Sequence, residues 1–370
     1  MKQEELTILN IGENLDNLMN LDPRGYGVCR ILYSAAREYT KEPLTINSAK
    51  KLVSTLKEGD LVYIMTGFVL LPFKKAEMDG IVSSMLLARA LVKGFNVKPV
   101  IVCPKDNIKA VENLAYVVGL HFHDNIEDLK EYPLSLAGVT FTKDAKKAGE
   151  QADELIAKGL PSAVISIECP GANSVGVYHN AVGLDVSELE AKQDILFTKL
   201  KEKGVLNIAI GDLGNELGMG TIKEHIEKYI PYAAKGSCNC GCNGGILSSV
   251  KADNIITATV SDWGCYGLIG ALSYLKKDLN IMHTKEMEEQ AVIAASRSGM
   301  IDMYGDLIPA IDGCSLTMNT SIVSLMRECI ESAIKLEKTC ATWFKKVIEL
   351  GFYENESNQN CENEMLKNII

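Results

Sequence analysis

The chain has no excess of basic residues. Lys and Arg number 38 against 48 Asp and Glu, a formal net charge of −10. That argues against the broad basic surface on which nucleic-acid binders rely. It also lacks an apolar run long enough to cross a bilayer, so no membrane partner is expected. Residues 1–20 carry Glu4, Glu5, Glu13 and Asp16 where a secretory leader needs a continuous apolar stretch. There is no C-x-x-C pair, the usual zinc spacing. No G-x-G-x-x-G opens an early strand–helix junction, so a dehydrogenase is disfavoured and no nucleotide cofactor is expected. Internal repeats and composition breaks that would mark a linker are missing as well. What remains is an ordinary globular composition, 47% apolar and 23% charged, with eleven cysteines. These cysteines read as reduced thiols of a cytoplasmic enzyme, not as a disulfide framework.

Apolar strand-like runs alternate with helical patterns. Strands are expected at Leu61–Thr66, Val97–Cys103, Ala163–Glu168, Leu206–Gly211 and Ile255–Ser261. Helices are expected near 79–94, 107–118, 144–158, 186–203 and 216–230. This rhythm predicts an α/β fold, a mainly parallel sheet flanked by helices on both faces, with helical N- and C-terminal additions. The divisions are a helical N-terminal segment over 1–58, an α/β catalytic core over 59–315, C-terminal helices over 316–352 and a mobile Asn- and Glu-rich tail over 353–370.

The stretch from Gly204 to Gly220 is the most informative. An apolar strand ends in a turn, Gly211–Gly220, that holds four glycines, Asp212, Asn215 and Glu216 in ten residues. Glycines let backbone approach a ligand and offer bare N–H groups. Carboxylates among them can bind a metal, orient an amine or move a proton. The plainer reading is a tight connection with a helix cap.

Ligands of an open parallel sheet bind at the carboxyl ends of its strands. Four expected strands end in Thr66-Gly67-Phe68, in Glu168-Cys169-Pro170-Gly171, in the Gly211 turn and in Ser261-Asp262-Trp263-Gly264. Carboxylates, glycines and small residues thus gather on one edge. Asp79 also suits a plain helix cap. Glu168 closes an apolar strand and needs a partner if buried. Asp185 reads as a helix start, His179 as a structural residue or an acid–base group, and His121 and His123 as surface residues. Cys238-Asn239-Cys240-Gly241-Cys242 invites a metal, but its C-x-C-x-C spacing makes a flexible glycine-rich loop with reactive thiols the default.

Taken in order, Thr66-Gly67-Phe68, Glu77-Met78-Asp79-Gly80, Glu168-Cys169-Pro170-Gly171, Tyr178 with Asn180 and Gly183, the Gly211–Gly220 turn, Ser261–Tyr266 and Asp312-Gly313 resemble the D-glutamate cyclase-like family. The resemblance spans roughly residues 20 to 315. It implies a lyase that closes an amine onto a carboxyl group with loss of water, converting D-glutamate or a close analogue into 5-oxo-D-proline. Asp212, Glu216 and Glu168 are the implied catalytic carboxylates. Thr66, Gly67, Asn173, Tyr178, Asn180, Gly214, Asn215, Gly218, Ser261 and Trp263 would line a small acidic substrate, with N–H groups around Gly214 and Gly218 holding an oxyanion. Glu77, Asp79, Asp212 and Glu216 would hold Mg²⁺ or Mn²⁺. This chain departs from the family pattern at Cys169 and Val182, where arginines often stand, at Asp262, often Asn, and at Leu213, often Gly. The missing arginines weigh against a dicarboxylate more than against the fold. A metal-dependent hydrolase of a small phosphate or amide, and a non-catalytic metabolite-binding protein, stay open. Self-association as a homo-oligomer stays open too.

Overall fold

The computed structural model describes residues 3–351, with backbone only for 337–344. Its centre is a parallel sheet of seven strands: β1 (Leu61–Thr66), β4 (Lys98–Cys103), β5 (His121–His123), β6 (Ser135–Thr140), β7 (Ala163–Ile167), β8 (Leu206–Gly211) and β9 (Asn254–Thr257). The spatial order is β5-β6-β4-β1-β7-β8-β9. All six pairings are parallel. Two-stranded ribbons, β2 (Val69–Leu70) with β3 (Lys75–Ala76) and β10 (Ala310–Ile311) with β11 (Cys314–Ser315), lie outside it.

β1, β7 and β8 are buried almost throughout, as continuous apolar strands must be when helices cover both faces. Tyr63 of β1 sends its hydroxyl to the carbonyls of Leu155 and Gly159, both at 3.0 Å, at the end of α7 (Ala145–Lys158). α7 packs against α8 (Gln193–Glu202). α4 (Ile81–Phe95), α3 (Leu44–Thr55) and α10 (Ser261–Lys276) form the adjoining helical layer. α1 (Gln3–Met19) and α12 (Leu316–Glu349) lie over α10. α11 (Lys285–Arg297) joins α12 to α5 (Ile108–Val117). α2 (Val28–Thr40) lies against β9. The α/β architecture expected from the sequence is therefore present, with N- and C-terminal helices added to it.

Several boundaries differ. β5 and β6 were not among the expected strands. β5 is a three-residue polar edge, and β6 is a weakly apolar run whose Gly138 makes room for Phe122 and Ile108. β9 ends at Thr257, and Ser261 opens α10 instead of closing a strand. α10 gives no amphipathic signal in the sequence because it is buried all round from Ser261 to Tyr274 and has no polar face. The helix expected from 186 starts at Gln193, because Asp185 caps only the Ser187 N–H in an isolated turn. The helix expected over 216–230 shrinks to a single 3₁₀ turn and α9 (Lys223–Tyr229), since Glu216 is consumed by the turn itself. The expected mobile tail over 353–370 lies outside the described residues. Among the described residues, no helix is long and apolar enough to cross a membrane.

The strand order places the site. From β1 the chain builds outward through β4 to β6 and β5, then returns to the other side of β1 with β7. The switch point is thus the crevice at the carboxyl ends of β1 and β7, where open α/β sheets bind ligands.

Candidate functional site

Four strand ends and one hairpin deliver buried carboxylates to that crevice. Glu168 follows β7, Asp212 and Glu216 follow β8, and Asp262 stands in the first turn of α10 after β9. Glu77 and Asp79 lie between β3 and α4. Asp312 comes from the β10–β11 turn, where Asp312 and Gly313 both take left-handed φ, 50° and 73°, as a tight hairpin requires. All seven side chains are buried.

Local geometry sorts their roles. Asp79 and Asp262 cap each other's helices. The Asp79 carboxylate accepts from the N–H groups of Ser261 (3.1 Å) and Asp262 (2.8 Å) at the start of α10. Asp262 Oδ1 accepts from those of Gly80 (2.8 Å) and Ser83 (3.2 Å) at the start of α4. Each thus satisfies donors that a helix start leaves orphaned. Gly80 (φ 83°) is required here, since a Cβ would stand 2.6 Å from Glu168 Cβ and 2.8 Å from the Ile167 carbonyl.

Glu216 closes the acidic turn on itself. Its carboxylate accepts from the N–H groups of Asp212 (3.1 Å), Leu213 (2.7 Å) and Gly214 (2.7 Å). The Gly214 N–H therefore points at Glu216 and not at an open oxyanion position. Gly218 packs its backbone onto the sheet, where a Cβ would meet Ala209 Cβ at 2.2 Å.

Asp212 differs from both. Its Oδ1 is buried without a hydrogen-bond partner among the described residues. Glu168 sits at φ 44°, a left-handed conformation that costs a non-glycine residue about 1–3 kcal/mol. It accepts a 2.6 Å hydrogen bond from Ser261 Oγ. Oxygen atoms of Glu168, Asp212 and Glu216 lie within 4.8 Å of one another, as do those of Asp79, Asp212 and Asp312. Asp212 belongs to both groups, and Glu77 lies beside them in neither.

Burial in this crowd favours the protonated acids. Desolvation first, then neighbouring carboxylates, holds Glu77, Asp79, Glu168 and Asp212 well above the ordinary carboxylate range. Asp262 is pushed up to about 7, chiefly by burial. Desolvation also raises Asp312, opposed by Arg24, whose Nη1 donates to the Asp312 carboxylate. Nothing around Arg24 in the sequence marks it as a site residue. Its partner is 288 positions away, so no local signal could have revealed the pair.

The expected substrate residues divide. Thr66 and Gly67 stand at the end of β1 in the crevice. Thr66 Oγ1 is buried without a partner among the described residues, and the Gly67 backbone approaches Pro104 and Asn107. Asn215 is buried, its Nδ2 donating to the His179 carbonyl at 3.1 Å while its Oδ1 has no partner among the described residues. Trp263 is turned away, with Nε1 donating to Asn319 of α12 at 2.7 Å. Tyr178 donates to Asp194, and Asn180 accepts from Leu184 within its own turn. Asn173 and His179 face the cysteine loop and not the carboxylates.

The raised acids carry a pH signature beyond the crevice. Asp16 is pushed to about 6 and Glu190 and Glu288 to about 8, each mainly by burial. A folded-state value above the unfolded one means that the native protein holds protons the unfolded chain gives up. Stability is then full below the unfolded values and falls as pH rises through the folded ones. Without added divalent ions, the urea midpoint is expected to drop from about pH 5 to about pH 8. A midpoint that rises over that interval would contradict these assignments.

Comparison with known proteins bears on the same residues. A family described as D-glutamate cyclase-like, C-terminal, matches residues 15–327, from α1 into α12. The chain is 34% identical over 113 residues to a protein named D-glutamate cyclase, mitochondrial, from Homo sapiens. That match takes in 30% of this chain and 17% of the human protein's length. The family match thus contains the whole switch-point crevice, with every element that brings a carboxylate to it. On that extent, the chain belongs to the D-glutamate cyclase-like, C-terminal family.

Proposed function

We propose that this protein is a lyase of the cyclase kind, closing the amine of D-glutamate or a close analogue onto its side-chain carboxyl group. The observation that carries the reading is the gathering of buried carboxylates at the β1/β7 switch point in a chain of this family. An enzyme with this task must take a proton from an ammonium group and deliver protons to a departing oxygen. Raised acids beside an unpartnered carboxylate oxygen are suited to both.

In this reading Asp212, ionised when the substrate's ammonium group stands beside it and a strong base for a carboxylate because burial disfavours its charged form, takes a proton from that group through Oδ1. The freed lone pair forms the N–C bond to the side-chain carboxyl carbon. Glu168, kept protonated by burial, gives its proton to the carboxyl oxygen that leaves. The two protons shed by nitrogen finish on that oxygen, which departs as water, so both acids regain their starting states. Ser261 positions Glu168, and Thr66 and Gly67 border the substrate. Holding amine and carboxyl in near-attack geometry supplies much of the rate.

The donor set also fits a hard divalent cation. Asp212 with Glu168 and Glu216, or with Asp79 and Asp312, offers only oxygen ligands, and one Asp212 oxygen lacks any other partner. Mg²⁺ or Mn²⁺ bound there would offset the clustered charge and polarise the substrate carboxyl as a Lewis acid.

The test is incubation with D-glutamate and Mn²⁺ or Mg²⁺. Loss of primary amine and formation of 5-oxo-D-proline are followed by chiral chromatography, with L-glutamate as control. Matched loss and formation support the lyase. Phosphate release from simple esters with no amine loss would favour a metal-dependent hydrolase. D-glutamate binding without turnover would indicate a binding protein.

A further inference from the structure

The C-x-C-x-C loop does not behave as a free glycine-rich loop. Cys238, Cys240 and Cys242 turn their sulfurs toward one point, and His179, 61 residues before Cys240, brings its ring to the same point. His179 Nε2 lies 3.1 Å from Cys240 Sγ and 3.5 Å from Cys242 Sγ. Cys238 Sγ lies 3.5 Å from Cys242 Sγ and 3.7 Å from Cys240 Sγ. All four ligand atoms fall within 4.8 Å of one another. A disulfide needs sulfurs at about 2.05 Å, so these thiols are close but not bonded. The edges of a tetrahedron with zinc–sulfur bonds of about 2.3 Å are about 3.8 Å long. The observed spacings are those of such a tetrahedron, slightly contracted.

The surroundings suit thiolates. Asn173 Nδ2 and the Gly244 N–H each reach Cys242 Sγ at 3.4 Å. N–H donors of this kind orient metal-bound sulfur and ease its negative charge. Gly241 (φ 73°), Asn243 (φ 63°) and Gly245 (φ 75°) wind the loop so that alternate residues point inward. The carbonyls of Val182 and Gly183 take the Asn239 side chain (2.7 Å) and the Cys240 N–H (3.2 Å), fastening the loop to the segment that bears His179.

We propose that His179, Cys238, Cys240 and Cys242 form a tetrahedral structural zinc site, separate from the carboxylate cluster. Three thiolates and one imidazole with no open position make a closed site, which holds structure and performs no chemistry. Its place in the fold gives it a task. Asn215 of the acidic turn donates to the His179 carbonyl, and Asn173 joins the β7 loop to the Gly245 carbonyl at 2.7 Å. The metal would clamp two loops that border the switch-point crevice and, through Asn215, steady the turn that carries Asp212.

The test uses the full chain produced in zinc-supplemented medium. Elemental analysis is expected to find about one zinc per chain, falling to about a tenth or less in Cys240→Ser and Cys242→Ser. Asn173→Asp, which removes one N–H donor to sulfur, is expected to weaken zinc affinity about 10- to 100-fold. Asp212→Asn should keep its zinc, which separates this site from the carboxylates. If the cysteine variants do not fold, the wild type still decides. Cobalt(II) exchanged into it should give intense thiolate-to-cobalt absorption and tetrahedral ligand-field bands. Stoichiometric iron in place of zinc, zinc lost with Asp212 and retained without the cysteines, or cobalt(II) without thiolate absorption would each overturn the proposal.

Discussion

Replacing Asp212 by Asn is expected to lower turnover by about 10²–10⁴-fold while raising the thermal stability of the metal-free protein. The two effects share one cause. Asp212 is buried beside Glu168, Asp312, Glu216 and Asp79, each of which opposes its ionisation. Its Oδ1 has no partner to repay that cost. A neutral amide of the same shape removes the repulsion and can still meet the neighbouring Asp312. It cannot accept a proton from an ammonium group, and it is a poor ligand for a hard cation. Residues placed for chemistry are often those whose removal stabilises the fold. Initial rates, calorimetric Mn²⁺ binding and thermal melts without divalent ions measure the three consequences. A variant that retains full turnover ends the assignment of Asp212 as proton acceptor. One that loses stability instead would show that Asp212 is a structural carboxylate like Asp79 and Asp262.

Those two show where sequence reading reached its limit. Apolar runs locate β1, β4, β7 and β8 to within one residue. The rule that ligands gather at strand ends assigns Asp79, Glu168, Asp212 and Asp262 to one crevice from the sequence alone. Proximity was legible, whereas division of labour was not. Asp79 does cap a helix, but beyond the adjacent Gly80 N–H at the start of α4 (2.9 Å) it takes the Ser261 and Asp262 N–H groups of α10. Its partners in α10 are 182 and 183 positions away, and no local pattern encodes that pairing. Glu216 looked reactive among glycines, yet three N–H groups of its own turn occupy it. Trp263 sits next to a site residue in sequence, but the helical rotation between neighbours carries its indole toward α12. His179 and the three cysteines illustrate the same limit. The spacing within 238–242 is visible, but His179 joins the cluster from the loop after β7, 61 residues before Cys240.

Arg24→Met is expected to destabilise the protein by about 3–5 kcal/mol, because it strands a buried carboxylate. Arg24 ties three segments together. Nη1 donates to the Asp312 carboxylate and, at 3.2 Å, to the Asp312 carbonyl, while Nη2 donates to the Thr259 carbonyl just before α10. The side chains are only 11% and 8% exposed, so water does little to replace the lost partner. Without the guanidinium, Asp312 faces Glu216 and the shared hydrogen bond to Asp212 with no cation beside it. Burial already raises Asp312 above its ordinary range, and Arg24 is the first force that lowers it. Its removal raises the folded-state value further, so the folded variant holds a proton over a wider pH range than the unfolded chain. The deficit relative to wild type should therefore be smallest in acid and grow as pH rises. Arg24→Met combined with Asp312→Asn should recover much of the loss, since no unpaired charge is left behind. Urea unfolding of the two single variants and the double variant at several pH values measures this coupling directly. A deficit that is constant with pH, or a double variant no more stable than Arg24→Met, would show that Arg24 acts through packing and not through its charge.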